Sequence, residues 1–340
     1  MKRLSPLKLF VAALAVSGSI STAAAEELKV GYLPVTGHAK FFVAKERGFF
    51  AKEGLDVELI EFQNSADGLN AIIAGKLDIG AFGTTAPVAH LSKGAKIKII
   101  GGIMGGDAAL IATPANASKI AGVTDLKGKK VATVRMASGD AVLRGALKDN
   151  GIHWKTDLQI FELKNPAAVI EAVKSGQVDA GLVWGPHDLR AEDQGLKVVI
   201  HSTDLQPGHP CCRLVVTEAN LAKSATWEKF LRAILQAEKY AAENKKETIE
   251  AIAKYVKIDQ QLLWRGYYSP YLDQSSDPDV KGVKHFADVM VNSEFITTKP
   301  DLNAGIDARI YEKVLNQLAK ENPNDPFWKK LQKDFKKKDA

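Results

Sequence analysis

Apolar positions along this chain recur in two rhythms. LKVGYLP (28–34) and KKVATVR (129–135) are short β-rich runs, and DVELIEF (56–62) and DLQIFEL (157–163) alternate apolar with polar residues. LDIGAF (77–82) and VDAGLVW (178–184) are nearly unbroken apolar runs, the pattern of a strand buried on both faces. Between them, SADGLNAIIAG (65–75) and PAAVIEAVKSG (166–176) carry helical spacing, and each ends on a glycine suited to a helix C-terminus. The pattern predicts strand, helix, strand, helix, strand, written twice.

The second copy lies 101 positions after the first: Gly75 maps onto Gly176, Asp78 onto Asp179 and Gly80 onto Gly181. The same offset carries Val30 onto Val131, Asp56 onto Asp157, Glu61 onto Glu162, Asn64 onto Asn165, Ala71 onto Ala172 and Gly94 onto Gly195. A constant offset over this length predicts an α/β protein of two similar lobes. Lobes of this kind bind ligands in the crevice outside the carboxyl ends of their strands. In lobe one those ends are PVTGHA (34–39), QNSAD (63–67) and GTTAP (83–87); in lobe two they are RMASGD (135–140), KNPAA (164–168) and WGPHD (184–188). The remainder, from 217 on, is mostly helical. Trp227, Phe230, Leu231, Ile234 and Leu235 form one apolar stripe, and Tyr267, Tyr268 and Tyr271 surround Pro270 in an aromatic turn.

The N-terminus adds a compartment. Lys2, Arg3 and Lys8 precede and enter the apolar run LFVAALAV (9–16), and small residues lead to Ala23-Ala24-Ala25. That order predicts a signal peptide over residues 1–25 and a periplasmic destination. The apolar run is far short of the ~20 residues a bilayer span needs. Cleavage removes three basic residues and no acid, so the formal charge falls from +6 to +3. The six lysines between Lys329 and Ala340 account for that excess and read as a solvated tail. The body is near neutral, so no nucleic-acid partner is expected.

The motifs then become familiar. VGYLPVTGHAKFFVAKERGFFAKEGLDVELIEF, GTTAP, KGKKVATVRMASGDAVLRGALKDNGI and VDAGLVWGPHD together resemble the substrate-binding proteins that serve importers of nitrate, taurine, alkanesulfonates and thiamine-pyrimidine precursors. The resemblance implies a periplasmic-binding-protein fold of type II, with a ligand cleft between lobes. It implies a non-enzymatic, monomeric receptor that captures a small sulfonate-like or heterocyclic solute. The receptor would deliver that solute to the transmembrane permease of an ABC importer, with no cofactor. It also implies two crossings between lobes, near Thr113-Pro114 and near Cys211 to Val215. The expected segments are therefore 26–113 for the first part of lobe one, 114–210 for lobe two, and 211–340 for the return and the remaining helices. Carried over residue by residue, the cleft positions fall on Thr36, Gly37 and His38, on Thr84 and Thr85, on Ser138 and Gly139, and on Trp184. Asp140 departs from the family's pattern, and an acid there would oppose an anionic ligand.

Helix starts at Gly37-His38 and Ser138-Gly139 would offer unpaired N–H groups to an oxyanion. The hydroxyls of Thr84, Thr85 and Ser138 suit a sulfonate or a heterocycle, and Trp184 would be a flat wall. Ser138 also reads as a helix N-cap, and Thr85 as a helix cap in its own right. His187 and Asp188 have two readings, cleft or solvent. Glycines 101, 102, 105 and 106 fail the G-x-G-x-x-G spacing and read as a flexible crossover.

The chain holds two cysteines, adjacent in GHPCCRLVV (208–216). Neighbouring Cα atoms lie ~3.8 Å apart, below the usual ~4.4–6.8 Å disulfide window, which favours free thiols and leaves a vicinal disulfide possible only with a distorted peptide. Cys211 and Cys212 lack the C-x-x-C gap of a zinc knuckle, so no metal is expected. On a regular strand they would face opposite ways, so at most one would meet a ligand. Two alternatives to a transport receptor remain: a periplasmic enzyme akin to thiamine-pyrimidine synthases using histidine and cysteine, and a sensor partner. No G-x-S-x-G or H-E-x-x-H motif supports the enzyme.

Overall fold

The computed structural model describes residues 25–339. The leader expected at the N-terminus lies outside the described residues, apart from Ala25. The strands are β1 (Glu26–Tyr32), β2 (Leu55–Glu61), β3 (Ile79–Gly83), β4 (Ile97–Gly106), β5 (Ala108–Ala112) and β6 (Lys130–Val134). They continue with β7 (Gln159–Leu163), β8 (Ala180–Trp184), β9 (Lys197–His201), β10 (Pro210–Thr217) and β11 (Leu272–Asp273). They build two sheets, β2-β1-β3-β10-β4-β11 and β7-β6-β8-β5-β9.

The repeat is physical. In lobe one β1 runs parallel to β2 and β3, with Val30 opposite Ile79; in lobe two β6 runs parallel to β7 and β8, with Val131 opposite Ala180. The helices Ser65–Ile73 and Pro166–Lys174 keep the same offset, as do β3 and β8. The small side chains that punctuate the sequence perform the same task in both copies. Asn64 Oδ1 accepts from the Asp67 N–H at 2.9 Å and Asn165 Oδ1 from the Ala168 N–H at 2.9 Å, each satisfying an orphan donor of a helix start. Asp78 Oδ2 accepts from the Lys29 N–H and Asp179 Oδ2 from the Lys130 N–H, tying each buried strand to its neighbour. Gly75 and Gly176 sit at φ 70° and 71°, where a side chain would be strained.

Each sheet is completed by a strand that arrives from the other lobe and therefore runs the opposite way: β10 is antiparallel to β3, and β5 to β8. The first crossing lies at Gly106-Asp107, seven residues before the expected Thr113-Pro114, because 108–112 already hydrogen-bonds to β8. Gly106 and Asp107 turn the chain with φ 70° and 71°. The return runs through the short helix Ser202–Leu205 and Gly208, so Cys211 to Val215 already belong to the first sheet. The glycines read as a flexible crossover behave otherwise. Gly101 and Gly102 lie inside β4, where a Cβ on Gly102 would collide with the Asp277 carbonyl, and only Gly106 is at the crossing.

The cores differ in extent. Lobe one's sheet packs against the C-terminal helices, including Ser224–Glu243, whose Trp227, Phe230, Leu231, Ile234 and Leu235 are fully buried as the stripe predicted. Lobe two has separate apolar layers on its two faces, around Leu110, Leu143 and Leu182 and around Val134, Val169 and Val183. The lysine-rich end is a helix (Pro326–Lys338) rather than a solvated tail, because Trp328, Leu331 and Phe335 recur on one face and are buried. Among the described residues no helix is long and apolar enough to cross a membrane.

Candidate functional site

The strand ends of both lobes meet over a narrow pocket. Its wall is Leu33, Val35, Ser65, Gly83, Met104, Cys211 and Cys212 from lobe one, with Ala137, Ser138, Gly139, Trp184 and the crossing residue Ala108 from lobe two. Its cavity volume is about 20 Å³, room for about one water, within about 370 Å³ of atom-free space that is partly open to solvent. The lobes are thus shut on each other, and the wall is mainly apolar.

Direct hydrogen bonds across the crevice keep them shut. Ser138 Oγ donates to the Cys211 carbonyl at 2.6 Å, and Thr85 Oγ1 to the Ala137 carbonyl at 3.2 Å. Within lobe one, Thr84 holds the same Cys211 carbonyl in place with its N–H and Oγ1, at 2.6 and 2.9 Å. The hydroxyls expected to meet a ligand therefore bond to backbone in this closed form. Ser138 is not the N-cap that its position suggested: Ala137 occupies the cap, and the serine hydroxyl reaches across the crevice instead. Nor does Thr85 cap its helix; Thr84 stands at the cap position without a side-chain cap bond.

Five of the ten expected positions line the pocket: Ser138, Gly139, Trp184, Cys211 and Cys212. Thr36, Gly37, His38, Thr84 and Thr85 stand behind its wall. His38 is fully buried, and its Nδ1 accepts from the Leu33 N–H at 3.1 Å, which holds the Leu33–Val35 wall in place. That bond leaves the proton on Nε2, which has no partner. Burial, with a smaller push from Lys40, lowers the imidazole to about 3. Gly37 has no room for a side chain: a Cβ would collide with Met104 Sδ, and Met104 is itself wall.

Asp140 does not oppose a ligand, because it is neutralised locally. Its carboxylate is buried against Arg144, with Nε to Oδ1 at 2.9 Å and Nη2 to Oδ2 at 3.2 Å. Arg144 also reaches Glu162 at 2.8 Å and lies over the Trp154 ring at 4.0 Å. Burial raises Asp140 to about 6 despite the arginine. Arg213, the cation beside the cysteines, is likewise occupied: it donates to the carbonyls of Met104, Asp277 and Pro278.

A buried acid that sequence reading missed stands at the crossing. Asp107 hydrogen-bonds through its backbone to Tyr271 and Gly185, one from each side of the crevice, and its Oδ2 has no partner. Burial and the neighbouring Asp188 raise its carboxyl well above the usual range. A non-glycine residue at positive φ in an apolar run is the only signal it leaves, and one sequence does not display φ. His187 and Asp188 are half-buried beside Trp184; burial lowers the former to about 4 and raises the latter to about 6. Met104 and Ala108 were also missed, since the crossing was expected later in the chain.

The cysteines depart from the alternation argument. Both are free, their sulfurs lie 3.8 Å apart, and both line the pocket. The pairing of β10 with β4 shifts register on each side of Cys212, and such a bulge breaks the two-residue period that would have separated them. The hydrogen bond between the sulfurs, helped by Arg213, lowers the Cys211 thiol against the opposing effect of burial, and pushes Cys212 well up.

Known proteins place this architecture. A putative binding protein of Brucella abortus is 29% identical over 77% of this chain and 82% of its own length. A putative aliphatic sulfonates-binding protein of Bacillus subtilis is 28% identical over 81% and 84%. The crystal structure of the periplasmic aliphatic sulphonate binding protein of Escherichia coli superposes with a TM-score of 0.70 at 23% identity, covering 83% of this chain and 92% of that one. The model of the NMT1-like family matches residues 21–257, and this two-lobed chain belongs to that family.

Proposed function

We propose that the protein is an extracytoplasmic solute receptor that closes its lobes on a small organic solute and presents it to an ABC permease. The observation that carries this reading is the pocket between the two strand-end sets, sealed by hydrogen bonds that run from one lobe to the other. An interaction split between two lobes is made only when they close, which couples capture to a change of shape that a permease can read. The relatives named for aliphatic sulfonates support a solute with an apolar body and a compact polar head. The apolar wall suits the body. The Trp184 Nε1–H, buried and unpartnered, and the Ser138 hydroxyl, which can exchange its backbone partner for a ligand, suit the head.

Calorimetry of the mature protein against a series of linear alkanesulfonates, with nitrate and a pyrimidine as comparators, tests the reading. Saturable binding of one class, with compaction in small-angle scattering, is expected. Binding without any change in the scattering profile would overturn lobe closure, and no binding by any of the three classes would overturn the proposed solute chemistry.

A further inference from the structure

We infer that Cys211 and Cys212 form a two-sulfur site that takes trivalent arsenic oxyacid, a soft centre that supplies its own remaining ligand. The inference does not depend on which solute the receptor carries. Three observations on the pair converge. The bulge in β10 turns both cysteines to the same pocket, their sulfurs are 3.8 Å apart, and the free space there is of the order of one water. A centre held by both sulfurs at about 2.3 Å, a usual metal–thiolate length, would subtend an S–X–S angle of about 110° at that separation, as a pyramidal or tetrahedral centre requires.

The rest of the site selects among soft centres. Among the described residues no group of three or more cysteine, histidine, aspartate or glutamate side chains could hold a metal ion. A structural zinc takes four protein ligands, so zinc is poorly served here. Arsenic(III) needs only the two sulfurs and retains one hydroxyl. The step is a condensation: two As–O bonds break, two S–As bonds form, and the two thiol protons leave with the two hydroxyls as two waters. Arsenic stays trivalent and no electron is transferred. Cys211, whose thiol is favoured toward the thiolate, attacks first, and Cys212 closes the chelate.

Titrating the reduced, signal-free full chain with sodium arsenite tests this by intact-protein mass spectrometry and free-thiol counting. The expected result is one arsenic per chain with loss of two titratable thiols, stable to excess glutathione and reversed by a small dithiol. C211S and C212S should each weaken the adduct by about 100-fold or more, the gain a linked second donor brings. An adduct displaced by glutathione, no adduct at all, or zinc binding as tight as arsenite in a parallel titration would overturn the assignment. So would single variants that bind as wild type. The competition between monothiol and dithiol decides the matter on wild-type protein alone, should either variant fold poorly. Arsenite binding with no alkanesulfonate binding would sink the solute reading and leave this one standing.

Discussion

The two lobes share one scaffold and differ wherever that scaffold touches chemistry or fills its core. Asn64 and Asn165, Asp78 and Asp179, and Gly75 and Gly176 do identical work 101 residues apart. The first helix differs. In lobe two it buries the pair Asp140–Arg144, whereas the matching positions in lobe one are Ala39 and Val43, both fully buried. The space between helix and sheet differs too. In lobe one Gly68 makes room for the Phe82 ring on β3; at the matching positions lobe two has Val169 on the helix and Val183 on β8. One fold therefore tolerates opposite solutions, provided the local polar groups are paired and the volume is filled.

The ion pair offers the largest test. At pH 8, Arg144→Met should destabilise the protein by about 3–5 kcal/mol in urea unfolding, since a buried carboxylate loses its partner. Replacing the pair as lobe one does, with Asp140→Ala and Arg144→Val together, should recover most of that loss. If the double variant is as unstable as the single one, the two helices are not interchangeable. Next in size, Gly68→Val should cost about 3 kcal/mol by forcing a methyl group into the Phe82 ring. Adding Phe82→Val, which copies lobe two, should restore over half of it in the same assay.

A third effect belongs to lobe one, because Gly139 stands where lobe one has His38. Burial holds the folded His38 imidazole down at about 3, below its ordinary 6.5. Its contribution is full above pH 6.5 and is lost as the pH falls, at up to about 1.4 kcal/mol per pH unit. His209, lowered to about 4 by burial and Arg213, adds to the loss in the same direction. Thermal unfolding between pH 7 and 4.5 should show the slope, and His38→Gln should flatten it; an unchanged slope would place the acid sensitivity elsewhere. The smallest effect is at the crevice. Thr85→Val and Ser138→Ala each remove one bond between lobes, worth about 0.5–1.5 kcal/mol. Each should widen the ligand-free scattering profile slightly and leave the unfolding midpoint nearly unchanged.

Much of the scaffold was legible because its signals are local. A helix start needs Asn64 or Asn165 wherever it lies, and a strand buried on two faces needs an unbroken apolar run. Site positions were legible at the level of loops: Val35, Ser65, Gly83, Ala137 and Trp184 all fall in strand-end loops picked out by pattern. Which side chain in each loop faces inward was not legible. His38 turns back to hold the Leu33 N–H within its own lobe, and Thr85 spends its hydroxyl on the Ala137 carbonyl, which comes within reach across the crevice.

The 101-residue repeat, the two α/β lobes, the buried helical stripe and the pairing of two thiols in one short stretch are properties of the sequence itself, carried by periodicity and by residues whose partners lie close along the chain. The crossing at Gly106-Asp107, the neutralisation of Asp140, the buried acid at Asp107 and the turning of both cysteines to one pocket were decided only by tertiary structure. The crossing and the acid at Asp107 depend on partners more than fifty residues away, and the cysteines on a bulge in strand pairing. Asp140 meets Arg144 only four residues on, and what tertiary structure adds there is the burial of the pair.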